Sequence, residues 1–284
     1  QHYPQDIRGH SQCPCRPPRS ARARRHRDKA DLVRTARALR ATITFFRDVA
    51  HIPHVAVRPY ELPLVVLARF FAMHPEPSDR SVILLRRWVW RGSLGERLTG
   101  ASGTMQQHVN DVTDEEDASV QALLRRTGSP ADIDLGDWAR TATASVASAR
   151  GKMLVCALLA RQPRNLVTGD RLIPDGLLAG GVADLLRPIG REAPPGEGIV
   201  NKLRHPSTAV GPSQLILECA DEAGLVSHGI DQAARAALRA GDVETFFERR
   251  GEALRTSCQA FFERHAELHR DDVPSLAKLT TRSA

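Results

Sequence analysis

The segment GDVETFFERRGEALRTSCQAFFERHAELH, residues 241–269, carries the clearest folding signal in the chain. Asp242 follows a glycine and can accept hydrogen bonds from the first free amides of a helix. Beyond it, apolar residues recur at helical spacing on one face. These residues are Phe247, Leu254, Cys258, Phe261 and Leu268. The pattern predicts a helix over about 242–269, and we read the mixed charges on its other face as a solvated surface without catalytic residues.

Helical periodicity also dominates the rest of the chain. The longest pattern runs from 138 to 161, and we expect this helix at the centre of the fold. A second stripe, with steps of three and four residues, predicts a helix over 28–50 with one apolar face. Its members are Leu32, Ala36, Leu39, Ile43 and Phe46. No segment shows convincing strand alternation, so we expect a mainly α protein, an irregular multi-helix bundle with long Pro/Gly loops.

Positive charge is concentrated at the N-terminus. The chain has a formal net charge of +7 at pH 7, and residues 1–27 hold seven arginines against one acid, Asp6. We therefore divide the chain into a disordered Arg-rich arm (1–27), a helical domain (28–270) and a tail (271–284), with 129–137 as an alternative boundary inside the domain. An arginine run can bind nucleic acid through its phosphates without sequence choice. The arm residues predicted to do so are Arg16, Arg19, Arg22, Arg24, Arg25 and Arg27.

A second basic group lies in DRSVILLRRWVWRG, residues 79–92, where Arg86 and Arg87 precede Trp88 and Trp90. Two interpretations stand. The segment is either a helix covered on two sides, or a basic aromatic surface that stacks nucleic-acid bases. The apolar neighbours of both tryptophans at helical spacing favour the covered helix. We keep Arg86 and Arg87 as further candidate nucleic-acid contacts.

Metal-ligating residues are present but poorly arranged. Cys13 and Cys15 have only His10 and His26 as irregularly spaced partners, a weak pattern for a metal site. His51 and His54 flank Pro53 without a nearby cysteine or acid, so surface histidines are the better interpretation. We predict no metal and no cofactor from these residues.

Membrane and export signals are weak as well. No apolar run approaches the ~20 residues that span a bilayer. The N-terminus also lacks the apolar core of a secretory signal. We expect a cytoplasmic protein that does not bind a membrane.

Four segments resemble a large prokaryotic family. They are LPLVVLARFF (62–71), LLRRWVWRGSL (84–94), ASARGKMLVCALLARQPRNLVTGDRL (147–172) and SHGIDQAARAALRAGDVETFFERRGEAL (227–254), and they occur in the family's order. The family joins an N-terminal ParB-like nucleotide-binding domain to a helical region and a C-terminal HNH-type nuclease. Modification-dependent restriction proteins of the GmrSD kind are similar. The likeness covers about residues 28–270 and rests mostly on structural motifs.

The chain departs from this family at both functional sites. The Asp-Gly-Gln-Gln-Arg-type motif of the ParB-like domain is absent, and the His-rich HNH string is missing because no histidine lies between His108 and His205. On this resemblance Asn201 corresponds to the family's later asparagine, and His205 follows four positions on. One asparagine and one histidine cannot supply both a general base and a metal shell. Glu192 and Glu197 could bind a metal, but they sit on a Pro/Gly loop with nothing to orient them.

The segment LRPIGREAPPGEGIVNKLRHPST, residues 186–208, therefore reads as a replaced active site in which Asn201 and His205 stabilise a turn. From the resemblance we expect a non-catalytic helical effector or regulatory region that couples a ParB-like partner domain or chain to DNA in defence. Two alternatives remain. A degenerate HNH endonuclease would use a divalent metal and depend on His205. A non-specific nucleic-acid-binding module would use the Arg-rich arm.

Overall fold

The computed structural model describes residues 19–100, 102–135, 148–174, 186–190, 198, 200–206 and 208–273, with side chains from residue 31 onward. In these residues the fold consists of ten helices and one two-stranded sheet. The first five helices are α1 (Arg19–Thr44), α2 (Leu62–Met73), α3 (Asp79–Leu94), α4 (Ser102–Asn110) and α5 (Glu116–Arg125). The others are α6 (Ala149–Ala160), α7 (Pro212–Glu218), α8 (Glu222–Ser227), α9 (Gln232–Ala240) and α10 (Val243–Ala266). The predicted mainly α, multi-helix fold is confirmed.

Helix α10 ties the fold together. Asp242 caps it by accepting a 3.1 Å hydrogen bond from the amide of Thr245, as the sequence predicts. The helix packs against α3, α6 and α9, which come from both halves of the chain. Phe246, Phe262 and Leu254 are among the side chains that it buries. Removing these apolar groups from water stabilises the contact between the two halves.

Helix α6 is central, but it is shorter than predicted. Every residue from Met153 to Leu159 is buried. Ser148 has extended backbone dihedrals and caps the helix by accepting a 3.0 Å hydrogen bond from the amide of Gly151. A capping residue marks a helix start, so the predicted continuous helix over 138–161 is wrong at its N-terminal end. Residues 136–147 lie outside the described residues.

Helix α1 packs against α2 with a different face from the one we predicted. In α1 the buried residues are Ala38 and Thr42, and the π-helical turn that follows it (Phe45–Val49) buries Phe45 and Phe46. Leu32 is 74% exposed, Ile43 58% and Leu39 39%. Of the predicted core stripe, only Phe46 is buried and Ala36 is half-buried. A small-residue face lets α1 approach α2 closely, and the longer aliphatic side chains are left outside.

The structure also contains two short strands that the sequence pattern did not indicate. Leu186–Pro188 pairs antiparallel with Lys202–Arg204, with Leu186 opposite Arg204. Leu186 and Leu203 are buried, which explains why two such short strands are held in place. Three residues per strand are too few for alternation to be visible in the sequence. The pairing fixes both ends of the predicted replaced active site.

The orientation of α1 can be tested with one variant on each face. Leu39→Gln removes an exposed apolar group, and we expect the free energy of unfolding to change by no more than about 0.5 kcal/mol. Phe45→Ala empties a core position and should cost about 3–5 kcal/mol. Urea unfolding followed by circular dichroism measures both values. A larger loss for Leu39→Gln than for Phe45→Ala would contradict this packing.

Candidate nucleic-acid interface

The basic arm is partly helical. We expected residues 1–27 to be disordered, but α1 begins at Arg19, immediately after Pro17 and Pro18. Arginine and alanine favour helix, and no glycine or proline interrupts the segment from Arg19 to Thr44. Arg19, Arg22, Arg24, Arg25 and Arg27 therefore lie on a helical backbone, whereas Arg16 lies outside the described residues.

Helix α1 concentrates the charge of the protein. Its 26 residues include nine basic and two acidic side chains, an excess as large as the formal net charge of the whole chain, +7. Residues 31–35 are exposed on every side, so this part of α1 stands away from the body. At a rise of about 1.5 Å per residue, the helix is about 39 Å long. The basic residues are therefore distributed along one long helix.

Arg86 and Arg87, the other predicted nucleic-acid contacts, form ion pairs inside the fold. Arg86 Nη2 donates a 2.9 Å hydrogen bond to Glu267 Oε1, and Arg87 Nε donates one of 2.6 Å to Glu267 Oε2. Arg87 Nη1 also donates to Asp272 Oδ1 at 2.7 Å, and Arg91 pairs with the other oxygen of Asp272. These contacts bind α3 to the segment after α10. Because Glu267 and Asp272 already neutralise these guanidinium groups, Arg86 and Arg87 are poorly suited to bind a phosphate. They are therefore not part of the proposed interface.

The two tryptophans beside them do not form a surface for base stacking. Trp88 and Trp90 are both fully buried. Trp90 Nε1 donates a 2.9 Å hydrogen bond to the carbonyl oxygen of Ala50, and its ring packs edge-on against Phe261. The covered-helix interpretation of this segment therefore agrees with the structure.

Asn201 stabilises the backbone around the two strands. Its Oδ1 accepts hydrogen bonds from the amides of Ile189 at 3.2 Å and Gly190 at 3.0 Å. Its Nδ2 donates to the carbonyl oxygen of Gly190 at 3.1 Å. Both ends of the side-chain amide are thus occupied by backbone groups.

His205 is buried and also bound to backbone. The amide of Leu166 donates a 3.0 Å hydrogen bond to Nε2, which makes Nε2 the acceptor nitrogen. Nδ1 then carries the proton and donates to the carbonyl oxygen of Pro206 at 3.0 Å. Burial is the main cause that lowers the pKa of this imidazole. Nε2 also lies 3.1 Å from Asn165 Oδ1, so both ring nitrogens are engaged with protein groups.

His51 and His54 are the remaining candidate metal ligands whose side chains the structure describes. Within the described residues, no group of three or more His, Cys, Asp or Glu side chains could hold a metal ion. His54 Nδ1 accepts a hydrogen bond from the amide of Ala56, and His51 stacks against His265. Glu192, Glu197, Cys13, Cys15 and His10 lie outside the described residues, and so does the side chain of His26.

A second set of buried cations surrounds the strands and was missed from the sequence. Arg250 donates hydrogen bonds to the carbonyl oxygens of His228 and Lys202. Arg204 is fully buried, yet none of its three guanidinium nitrogens has a hydrogen-bond partner within the part of the chain that the structure describes. Burial, and then the charge of Arg161, lowers the pKa of Arg204 to about 9. The sequence carries no sign of this burial, because an arginine in a short strand is usually exposed.

No protein-family model, curated protein or solved structure shows a significant match to this chain. The resemblance to the ParB-like/HNH family therefore stays a prediction. Among the described residues, no helix is long and apolar enough to cross a bilayer.

The buried histidines predict a loss of stability in acid. Burial is the main cause that lowers the pKa of His108 to about 4 and that of His265 to about 3, below the unfolded value of about 6.5. The unfolded chain therefore binds more protons as the pH falls below about 6.5, whereas the folded chain stays neutral at these positions. The contribution of these neutral histidines to the free energy of unfolding is complete above about pH 6.5 and decreases below it. At about pH 5 the loss is about 1–2 kcal/mol per histidine.

Urea unfolding at several pH values measures this effect. His108→Gln should reduce the pH dependence by the share of one histidine, whereas His269→Gln, at an exposed position, should leave it unchanged. Equal slopes for the wild type and His108→Gln would show that His108 titrates alike in both states.

Proposed function

We propose that this chain is a non-catalytic helical module that binds nucleic acid through α1. The observation that carries the proposal is the projecting helix, in which nine basic residues face only two acidic ones. Arginine side chains neutralise phosphates and release counterions, which favours binding to any duplex. A straight helix about 39 Å long can follow a groove or lie along one face of a duplex.

The contacts of Asn201 and His205, the candidate nuclease residues, support a non-catalytic role. His205 and Asn201 use their polar atoms to hold backbone amides and carbonyls. Cleavage of a phosphodiester by the degenerate nuclease would need at least one of these atoms free for a water or a metal. Binding without cleavage is therefore the activity that we assign to the chain.

The apolar stripe on α1 favours a second role in the same helix. Leu32, Leu39 and Ile43 are exposed beside the basic residues, and a helix face of this kind is suited to docking another protein. The partner implied by the sequence resemblance is a ParB-like nucleotide-binding domain, in a defence system directed at foreign DNA.

The genomic DNA around the coding region tests this partner. We expect a ParB-like domain, encoded either in frame upstream or in an adjacent gene. If no genome that carries this chain encodes either arrangement, the partner assignment is contradicted. Nucleic-acid binding by α1 is tested separately.

Nucleic-acid binding can be measured by the fluorescence anisotropy of a labelled duplex of about 20 base pairs as salt is raised from about 50 to 200 mM. The wild type should lose affinity steeply. The variant Arg22→Gln/Arg24→Gln/Arg25→Gln should bind more weakly, and its slope of log K against log salt should fall by up to about three units, since each lost phosphate contact removes about one.

A matched control removes three exposed arginines from other parts of the chain, in Arg125→Gln/Arg239→Gln/Arg270→Gln. Its net charge equals that of the α1 variant, so a general effect of charge would weaken both equally. Equal losses in the two variants, or a wild type that binds no duplex at the lowest salt concentration, would refute an interface on α1.

A further inference from the structure

A cleft of about 510 Å³ lies where four segments of the chain meet. They are the π-helical turn after α1, the connector that follows it, the C-terminal end of α6 with the loop after it, and the last turns of α10. The charged and imidazole residues in its lining are Arg47, His51, Arg171, Arg264 and His265. None of the described lining residues is acidic.

The positive charge of the cleft is incompletely matched. Arg171 and Arg264 are exposed, and neither makes an ion pair within the described residues. Arg47 shares its charge with Asp48 through hydrogen bonds of 2.7 and 2.9 Å. Guanidinium groups are planar forks of donors that match the oxygens of phosphate. The exposed guanidinium groups of Arg171 and Arg264 therefore suit a phosphate group.

The remaining lining is apolar or aromatic. Phe261, Leu159 and Leu172 contribute apolar surface, together with Ile173, which is 70% exposed. The ring of His265 lies between Phe261 and His51, with centroid distances of 4.4 and 4.6 Å. Of these three rings only that of His51 is exposed, whereas Phe261 is 5% and His265 2% exposed, so the His51 ring is the face on which another planar ring can stack. A volume of about 510 Å³ lies within the range of sites for small molecules.

We propose that this cleft binds an organic phosphate that carries a planar ring. Arg171 and Arg264 hold the phosphate, and the ring lies against the exposed imidazole of His51 and the apolar side chains of Leu172 and Ile173.

Isothermal titration calorimetry of the full chain tests the proposal with a defined set of probes. These are the four common nucleoside monophosphates and flavin mononucleotide, with adenosine and inorganic phosphate as fragments. We expect at least one of the phosphorylated ring compounds to bind with a Kd below about 1 mM, and at least about tenfold more tightly than either fragment. If inorganic phosphate binds as tightly as every ring compound, the proposed contact between the ring and His51, Leu172 and Ile173 is overturned. No binding by any of the five ring compounds would overturn the proposal as a whole.

Variants locate the site. Arg264→Gln and Arg171→Gln should each weaken binding by about tenfold, and Arg264→Lys should restore part of the loss because it keeps the charge. Arg239→Gln is the matched control, since Arg239 is an exposed arginine on α9 outside the cleft. All of these positions are exposed, so thermal unfolding should be unaltered. An affinity that does not change in Arg264→Gln and Arg171→Gln would place the ligand elsewhere.

The cleft and α1 are tested independently. The variant Arg22→Gln/Arg24→Gln/Arg25→Gln should keep the affinity for the small phosphate, and Arg264→Gln should keep the salt dependence of duplex binding. If duplex DNA does not bind and the organic phosphate does, the proposed function fails and the ligand site stands.

Discussion

The pairing of α3 arginines with the carboxylates that follow α10 holds the two halves of this protein together. Arg91 is almost completely buried, and it donates hydrogen bonds to the carbonyl oxygens of Ala266 and Glu267 as well as pairing with Asp272. A guanidinium so placed is tolerated because nearly every donor has an oxygen partner. Since α10 also packs against α6 and α9, fixing its C-terminal end on α3 sets the position of the second half of the chain.

The same type of side chain is left unmatched at other places in the fold. Arg204 is buried without a hydrogen-bond partner in the described residues, whereas Arg171 and Arg264 face a solvent-filled cleft. The first arrangement costs stability, because an unpaired charge loses its hydration without compensation. The second costs little, since water solvates the guanidinium groups until an anion replaces it. Arg171 and Arg264 can therefore bind a ligand because they are exposed, whereas Arg204 cannot because it is buried.

The fold class and the last helix could be predicted because their signals are local. A capping aspartate and one apolar face define α10 without any knowledge of its neighbours. The face of α1 that packs could not be predicted in this way. Leu32, Leu39 and Ile43 form the more apolar stripe, yet α2 packs on Ala38, Thr42 and Phe45. Periodicity shows that a stripe exists, and only the partner helix decides whether it is covered. Asn201 and His205 were predicted to stabilise a turn, but apart from that of Pro206 the backbone atoms that they contact lie 11 to 39 residues away in the sequence.

The location of the positive charge, more than its amount, distinguishes the interfaces that this chain can form. Arg86, Arg87 and Arg91 lie within a few residues of one another in α3, and any count of basic residues would rank that segment with α1. Their charge is offset by Glu267 and Asp272, which are about 180 residues away in the sequence and become neighbours only in the fold. Helix α1 has two acids of its own, and its exposed residues 31–35 stand clear of the body. A phosphate chain approaching the molecule would therefore meet the excess of basic over acidic residues in α1, whereas the arginines of α3 already pair with carboxylates.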